Sequence, residues 1–294
     1  MTVALAYDAQ QAWRQQPAFV PGDGGEIAQS AVDCLLMELE TWPKPGLVSH
    51  VDNGSHDDMN ADTFRRSAAA IKPYFEQLAD TAWRGGGMGR LRAIGMEAEA
   101  AMLSATSGVN THRGAIFGLG LLCAAVGAKA GGQADPELPL GKVVSGLWGR
   151  GIVDGPVLLH SHGSTARRRF QAGGARAEAA SGFPSVYRIG LPALRRAVRA
   201  VPNDAEAARV EACFALISAV EDTNLLYRGG LDGLCFARHA TRIFLDQGGV
   251  RRPGWRARAR SVHQDFVARR LSPGGSADLL AMTLFVDAHE RPSP

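Results

Sequence analysis

The chain has 294 residues, 46% of them apolar, so it can bury a sizeable core. Its 32 Lys+Arg against 29 Asp+Glu leave a net charge of +3, too even for a general nucleic-acid binder. No basic start followed by an apolar run predicts a signal peptide, and no uncharged apolar stretch of about 18 residues predicts a membrane span.

Residues 1–22 are poorly periodic and read as a poorly ordered N-terminal segment, with 23–294 as one helical domain. Ile27, Ala31, Leu35 and Leu39 recur at i, i+4 and i+8 on one helix face, with Asp23 placed as a cap. Pro43-Lys44-Pro45-Gly46-Leu47-Val48 stops that helix, because two prolines fix φ and hold Lys44 in a stiff turn. Lys44 reads as a phosphate contact or as a surface lysine. The loop runs on into Gly54-Ser55-His56-Asp57-Asp58-Met59. There His56, Asp57 and Asp58 are metal-ligand or general-base candidates, and Asp58 is equally a cap for a helix starting near Asn60. Residues 61–82 read as a second helix with a kink at Pro73, and 90–104 as a third. The glycines at 85, 86, 87 and 89 follow helix rather than strand, so they form no dinucleotide fingerprint, and no P-loop occurs.

Gly108-Val109-Asn110-Thr111-His112-Arg113-Gly114 precedes residues 112–128, which are apolar nearly all round and predict a central buried helix. Asn110 or Thr111 can cap it. Arg113 in the first turn opposes the helix dipole and wants an anionic partner, unless it is a solvated arginine beside an ordinary cap. Ile152 to Leu159 is the one β-like run, interrupted by Asp154-Gly155-Pro156. His160 and His162, at i and i+2, read as a structural pair. Arg167 to Arg169, and Arg251, Arg252, Arg256, Arg258 and Arg260, read as solvated faces or an anion-binding rim. A small-residue helix carrying Arg176 and Glu178, a salt bridge or a site pair, ends at Gly182-Phe183-Pro184. After an apolar helix over 205–220 come Asp222-Thr223-Asn224 and Tyr227-Arg228-Gly229-Gly230. Asp222 and Asn224 are oxygen donors of the kind Mg²⁺ accepts beside phosphates, or an Asx-turn with an N-cap. Leu279, Leu280, Thr283, Leu284 and Val286 close the pattern. The fold class expected is all-α, a single compact multi-helix domain with buried central helices. Cys34, Cys123, Cys213 and Cys235 form no CxxC pair, and the first three sit in apolar helical patterns, as buried free thiols in a reducing cytoplasm would.

Five of these segments are Pro-Lys-Pro-Gly-Leu-Val with Gly-Ser-His-Asp-Asp-Met, Gly-Val-Asn-Thr-His-Arg-Gly-Ala-Ile-Phe, Ala-Arg-Ala-Glu-Ala-Ala-Ser-Gly-Phe-Pro, Asp-Thr-Asn-Leu-Leu-Tyr-Arg-Gly-Gly and Leu-Ser-Pro-Gly-Gly-Ser-Ala-Asp-Leu-Leu-Ala. In this order, from about Ile27 to Phe285, they resemble the triphosphoribosyl-dephospho-CoA synthase family. The resemblance implies an all-helical transferase. It joins ATP to 3′-dephospho-CoA with release of adenine and gives 2′-(5″-triphosphoribosyl)-3′-dephospho-CoA. That product is the prosthetic-group precursor for the acyl-carrier subunit of malonate decarboxylase or citrate lyase. The Ser49-His50-Val51-Asp52-Asn53 insert looks more like the malonate decarboxylase branch, while Arg113 stands where lysine is frequent and Ser49 where an acid is frequent.

By that resemblance Asp58, Glu178 and Asp222 hold Mg²⁺ or do base work, and His56 is the alternative base. Lys44, Arg113 and Arg228 grip phosphates; Asn110, His112 and Asn224 position ribose or water. Met59 and Phe117 read as core. A downstream prosthetic-group transferase and an acyl-carrier protein are the implied pathway partners, with no nucleic acid and no membrane; a cytoplasmic location is expected and a homodimer is left open. Two rivals share features: an HD-type metal-dependent phosphohydrolase, using His56-Asp57 with His50, His160 and His162, and a helical ADP-ribosyl hydrolase. A non-catalytic scaffold that delivers a cofactor is a third, without the internal repeats scaffolds often show.

Overall fold

The structure is a computed structural model that describes residues 23–156 and 173–290. Asp23 opens α1 (Gly24–Leu39), its Oδ1 accepting the Gly25 amide at 2.8 Å. α2 (Ala61–Trp83) starts from a reciprocal cap: Asn60 Oδ1 accepts the Thr63 amide at 3.0 Å, and Thr63 Oγ1 accepts the Asn60 amide at 3.4 Å. The cap is thus Asn60 and not Asp58. The helix runs on through Pro73, where a kink was expected. α3 (Met88–Ala105), α4 (Arg113–Ala130) and α5 (Leu140–Val153) follow, then the short α6 (Gly174–Ala180). A π turn over Val186–Gly190 leads into α7 (Leu191–Ala200), and α8 (Ala205–Ala219) is capped by Asp204. α9 (Thr223–Asp246), α10 (Trp255–Ala268) and α11 (Gly274–His289) complete the chain. No strand occurs among the described residues, so the all-α expectation holds. Residues 152 and 153 of the β-like run lie in α5, and 157–159 fall outside the described residues, as do residues 1–22, His160, His162 and Arg167 to Arg169.

α4 sits at the centre, packed by α2, α11, α5 and α1. Its apolar residues point all round because every side meets another helix. It is long and apolar enough to cross a membrane by length and composition, with a mean hydropathy of 1.4, yet its residues are buried in the fold. Glycines allow this packing. A Cβ on Gly127 would lie 2.1 Å from the Ala79 carbonyl oxygen of α2, and one on Gly118 2.0 Å from the Met282 methyl of α11. Cys34, Cys123 and Cys213 are buried free thiols, as expected; Cys235 is exposed.

α9 is broken at Gly230, where φ is +62° and ψ is −157°. Only glycine adopts that region readily. The break separates a first turn carrying Asn224, Tyr227 and Arg228 from the longer helix behind it.

Candidate active site

The heads of α4, α9 and α11, the loop between α1 and α2, and parts of α3 and α6 enclose a cavity of about 1190 Å³. Helix N-termini carry partial positive charge and free amides, so such a wall suits anions. His56, Asp58, Asn110, His112, Arg113, Glu178, Asp222, Asn224 and Arg228 all line it, drawn from four of the motif segments. Leu47, Met59, Phe64, Leu91, Phe117 and Met282 give it an apolar side able to hold a base. Met59 and Phe117, read as core, therefore also face the cavity.

Lys44 is the exception. It is 0% exposed and forms a buried ion pair with Glu38, which itself lines the cavity. Its ammonium meets a carboxylate rather than open space, so the expected direct phosphate grip is not made in this arrangement. The rigid turn instead packs the lysine inward. His263 fixes the loop from α10: Nδ1 donates to the Lys44 carbonyl at 2.6 Å and Nε2 faces Asp52 at 3.2 Å. Burial opposes the charge on both members, but this contact outweighs it. The Asp52 carboxyl falls to about 2, and His263 is raised. Gly46 has φ +67°, and a Cβ there would lie 2.0 Å from the Leu271 carbonyl oxygen.

That clamp presents His56, Asp58 and Arg228 as a unit. Arg228 donates to the carbonyls of Ser55 at 3.3 Å and Arg270 at 3.2 Å, and through Nη2 to His56 Nδ1 at 3.3 Å. His56 Nε2 then donates to Ser272 Oγ at 2.8 Å. Burial and the Arg228 charge lower the His56 pKa, so the ring is neutral with both nitrogens engaged. Asp58 Oδ1 lies 3.5 Å from His56 Nδ1 and the side chain is 62% exposed, leaving it the open carboxylate of the unit.

Asp222 is committed elsewhere. Oδ1 accepts the amides of Asn224 and Leu225, and Oδ2 accepts the amide and hydroxyl of Ser276. It is the N-cap of α9 and ties that helix to α11, which is the Asx-turn reading and not the ligand reading. Glu178 likewise accepts the Ser185 amide at 2.6 Å and its hydroxyl at 3.0 Å. Arg176 donates to the carbonyls of Ile152, Gly155 and Pro156 at the end of α5. As a protein cage for Mg²⁺, Asp58, Glu178 and Asp222 do not fit: two of the three spend their oxygens on protein donors. Among the described residues no three His, Cys, Asp or Glu side chains stand close enough to hold a metal ion.

At the head of α4, Asn110 Oδ1 accepts the Arg113 amide at 3.3 Å, and Arg113 pairs with Glu99 at 2.9 Å. The anionic partner of that arginine is thus supplied by α3. His112 is 3% exposed. Thr111 Oγ1 donates to Ser67 Oγ at 2.7 Å, which lies 2.6 Å from His112 Nδ1. Burial, with the Lys44 charge nearby, pulls His112 down to about 3, so it is a neutral imidazole.

Five charged cavity residues escaped the sequence reading: Glu38, Arg92, Glu99, Glu221 and Asp278. Glu38, amid Leu35, Leu36, Met37 and Leu39, had an apolar setting as its signal. Asp278 lay inside the Ser-Pro-Gly-Gly-Ser-Ala-Asp motif. Burial first, then the charges of Glu38 and Asp222, push the Asp278 carboxyl well above the carboxylate range; the Ala115 amide opposes this. Two helix N-termini also oppose it, but each is worth about 0.3–1 kcal/mol. Burial outweighs them.

A sequence model of the CitG family, described as ATP:dephospho-CoA triphosphoribosyl transferase, matches residues 25–294. A Pseudomonas fluorescens protein named "Probable 2-(5''-triphosphoribosyl)-3'-dephosphocoenzyme-A synthase" is 39% identical over 270 residues, covering 90% of this chain and 92% of that protein. Proteins of the same name from Stutzerimonas stutzeri and Pseudomonas aeruginosa strain UCBPP-PA14 are 39% and 40% identical, each match covering more than nine-tenths of both chains. No solved structure matches the chain.

Proposed function

The chain belongs to the ATP:dephospho-CoA triphosphoribosyl transferase family, a triphosphoribosyl-dephospho-CoA synthase by class, and from that premise we propose the course of its reaction. The 2′-hydroxyl of dephospho-CoA attacks C1 of the ATP ribose. The C1–N9 bond breaks, the O2′–C1 bond forms, and the hydroxyl proton is balanced by one gained by departing adenine. Glycosyl transfer of this kind passes through an oxocarbenium-like transition state. The triphosphate stays on the ribose as a bystander.

One observation carries this reading. Polar residues from motifs far apart in sequence line a single cavity of about 1190 Å³, above the usual 300–1,000 Å³ of a one-ligand site and suited to two nucleotides. Arg228, fixed by two carbonyls and His56, faces the triphosphate with Arg113. Asp58, the open carboxylate, takes the attacking proton, while His56 holds Arg228 in place beside it. Asp58 is the one protein carboxylate that would hold Mg²⁺ beside the triphosphate, where the ion would neutralise phosphate charge, since magnesium beside nucleotides needs only one or two carboxylates. The product serves as prosthetic-group precursor for malonate decarboxylase, with citrate lyase the other destination; the Ser49 to Asn53 insert supports the first. The free cysteines support a cytoplasmic setting.

Family membership sets aside the hydrolase and scaffold readings. His50, which the phosphohydrolase reading needs, is also not on the cavity wall. The test is to mix the protein with ATP, Mg²⁺ and dephospho-CoA and to follow free adenine by chromatography. Stoichiometric adenine with a heavier CoA derivative is expected, and none without dephospho-CoA. Asp58→Ala is expected to lose ~10²–10⁴-fold in turnover with its helical circular dichroism intact. Adenine released without dephospho-CoA, or normal turnover in that variant, rejects this course.

A further inference from the structure

Asp278 is a cavity carboxyl that the course above does not use. It sits one turn into α11 against the head of α4, where Gly114 has no side chain; a Cβ there would lie 2.0 Å from Asp278 Oδ2. Two motif pieces, the glycine of Thr-His-Arg-Gly and the aspartate of Gly-Gly-Ser-Ala-Asp, are thus explained by one contact. The fields that reach it come from Glu38 on α1 and Asp222 at the head of α9, both acids; from α4 it receives the Ala115 amide. Lys44 is paired to Glu38. The carboxyl therefore faces the cavity beside apolar Leu279 and Met282, without a cation of its own among the described residues.

We propose that Asp278 is the catalytic acid of the transfer, giving its proton to the adenine ring as the C1–N9 bond breaks. This rests on the transferase reading. Asp278 donates O–H to a ring nitrogen of adenine, the bond electrons go to the base, and adenine leaves neutral. The 2′-hydroxyl proton passes to Asp58, and exchange with water restores both carboxyls. A carboxyl set among other acids on one wall and a solvent-open carboxylate on another divide the two proton transfers between them, as paired carboxyls do in glycoside chemistry.

The test compares two nucleotides on wild type, Asp278→Asn and Asp278→Glu. One is ATP. The other is 7-methyladenosine triphosphate, whose cationic base leaves without a proton. Asp278→Asn is expected to lose ~10²–10⁴-fold in turnover on ATP and less than about tenfold on the methylated nucleotide. It is expected to melt no lower than wild type, because the amide removes an ionisable group that is only partly open to solvent. Asp278→Glu should keep measurable turnover, and like wild type should slow as pH rises through the pKa of its acid. Equal losses on both nucleotides would assign Asp278 to shaping the site and overturn the proposal, as would near-normal turnover of Asp278→Asn on ATP. If wild type itself releases no adenine when given dephospho-CoA, the transferase reading fails first and takes this inference with it.

Discussion

His112 keeps a neutral ring because its surroundings offer no counter-charge: Ser67 at one nitrogen, the Phe64 ring edge-on at 4.9 Å, and the Lys44 charge behind. Its folded pKa of about 3 lies below the unfolded value of 6.5, so the unfolded chain binds the extra proton first. The stability this group supplies is complete above pH 6.5 and drains away as pH falls from there towards 3. At pH 5 the loss is about 2 kcal/mol. His289, held at about 4 chiefly by burial, adds to it in the same sense. Urea melts of wild type and His112→Gln between pH 7.5 and 5 check this. The variant should start less stable and fall less steeply; parallel slopes would mean that His112 already carries its proton. A sequence shows neither the burial nor the lysine that set this value, though it does place the residue at a helix head.

At the scale of elements, α2 and α4 meet where Gly127 lies against the Ala79 backbone and Gly120 against Leu78. Gly127→Val inserts atoms where a Cβ is already 2.1 Å from a carbonyl oxygen, so the helices must part. Overpacking of this kind costs about 1–3 kcal/mol, and a backbone obstacle puts it at or above the upper end. A lower denaturant midpoint is the measure, with Gly95→Ala on α3, where nothing lies within 4 Å of a Cβ, as the control that should hold or raise the midpoint. The helices read from the sequence lie within a residue or two of their places, because periodicity and caps are local: 61–82 against Ala61–Trp83, and 112–128 against Arg113–Ala130, whereas α5, α7, α9 and α10 are not read as helices. What each polar residue does was less legible. Asp58 and Asn60 are both fair caps by type, and only the Asn60–Thr63 reciprocity decides between them. The Gly230 break in α9 gives no periodic signal at all. Lys44 pairs with Glu38, a contact that no local pattern announces.

For the whole molecule, a net charge of +3 says little about the cavity. Among the described residues seven acids line it, Glu38, Asp58, Glu99, Glu178, Glu221, Asp222 and Asp278, against the arginines Arg92, Arg113, Arg176 and Arg228. Taken as formal charges, that wall would repel a triphosphate. Burial eases the conflict by raising the pKa of Glu38, Glu178, Asp222 and, furthest, Asp278, and Lys44 answers Glu38. Glu99 is answered by Arg113, which leaves Asp58 and Glu221 near the open side. A polyanion entering there needs a cation of its own, and Mg²⁺ is the natural one, binding phosphates with few protein ligands. ATP should therefore stabilise the fold far more with Mg²⁺ than with a chelator. At a hundred times its dissociation constant a ligand adds about 2.7 kcal/mol, which a thermal melt resolves easily. Asp58→Asn should shrink the Mg²⁺-dependent part of that gain, whereas Glu178→Gln, whose parent oxygens already serve Ser185, should leave the magnesium increment in place. Equal shifts with and without the metal would show that the arginines alone hold the triphosphate, and that Asp58 serves only the proton.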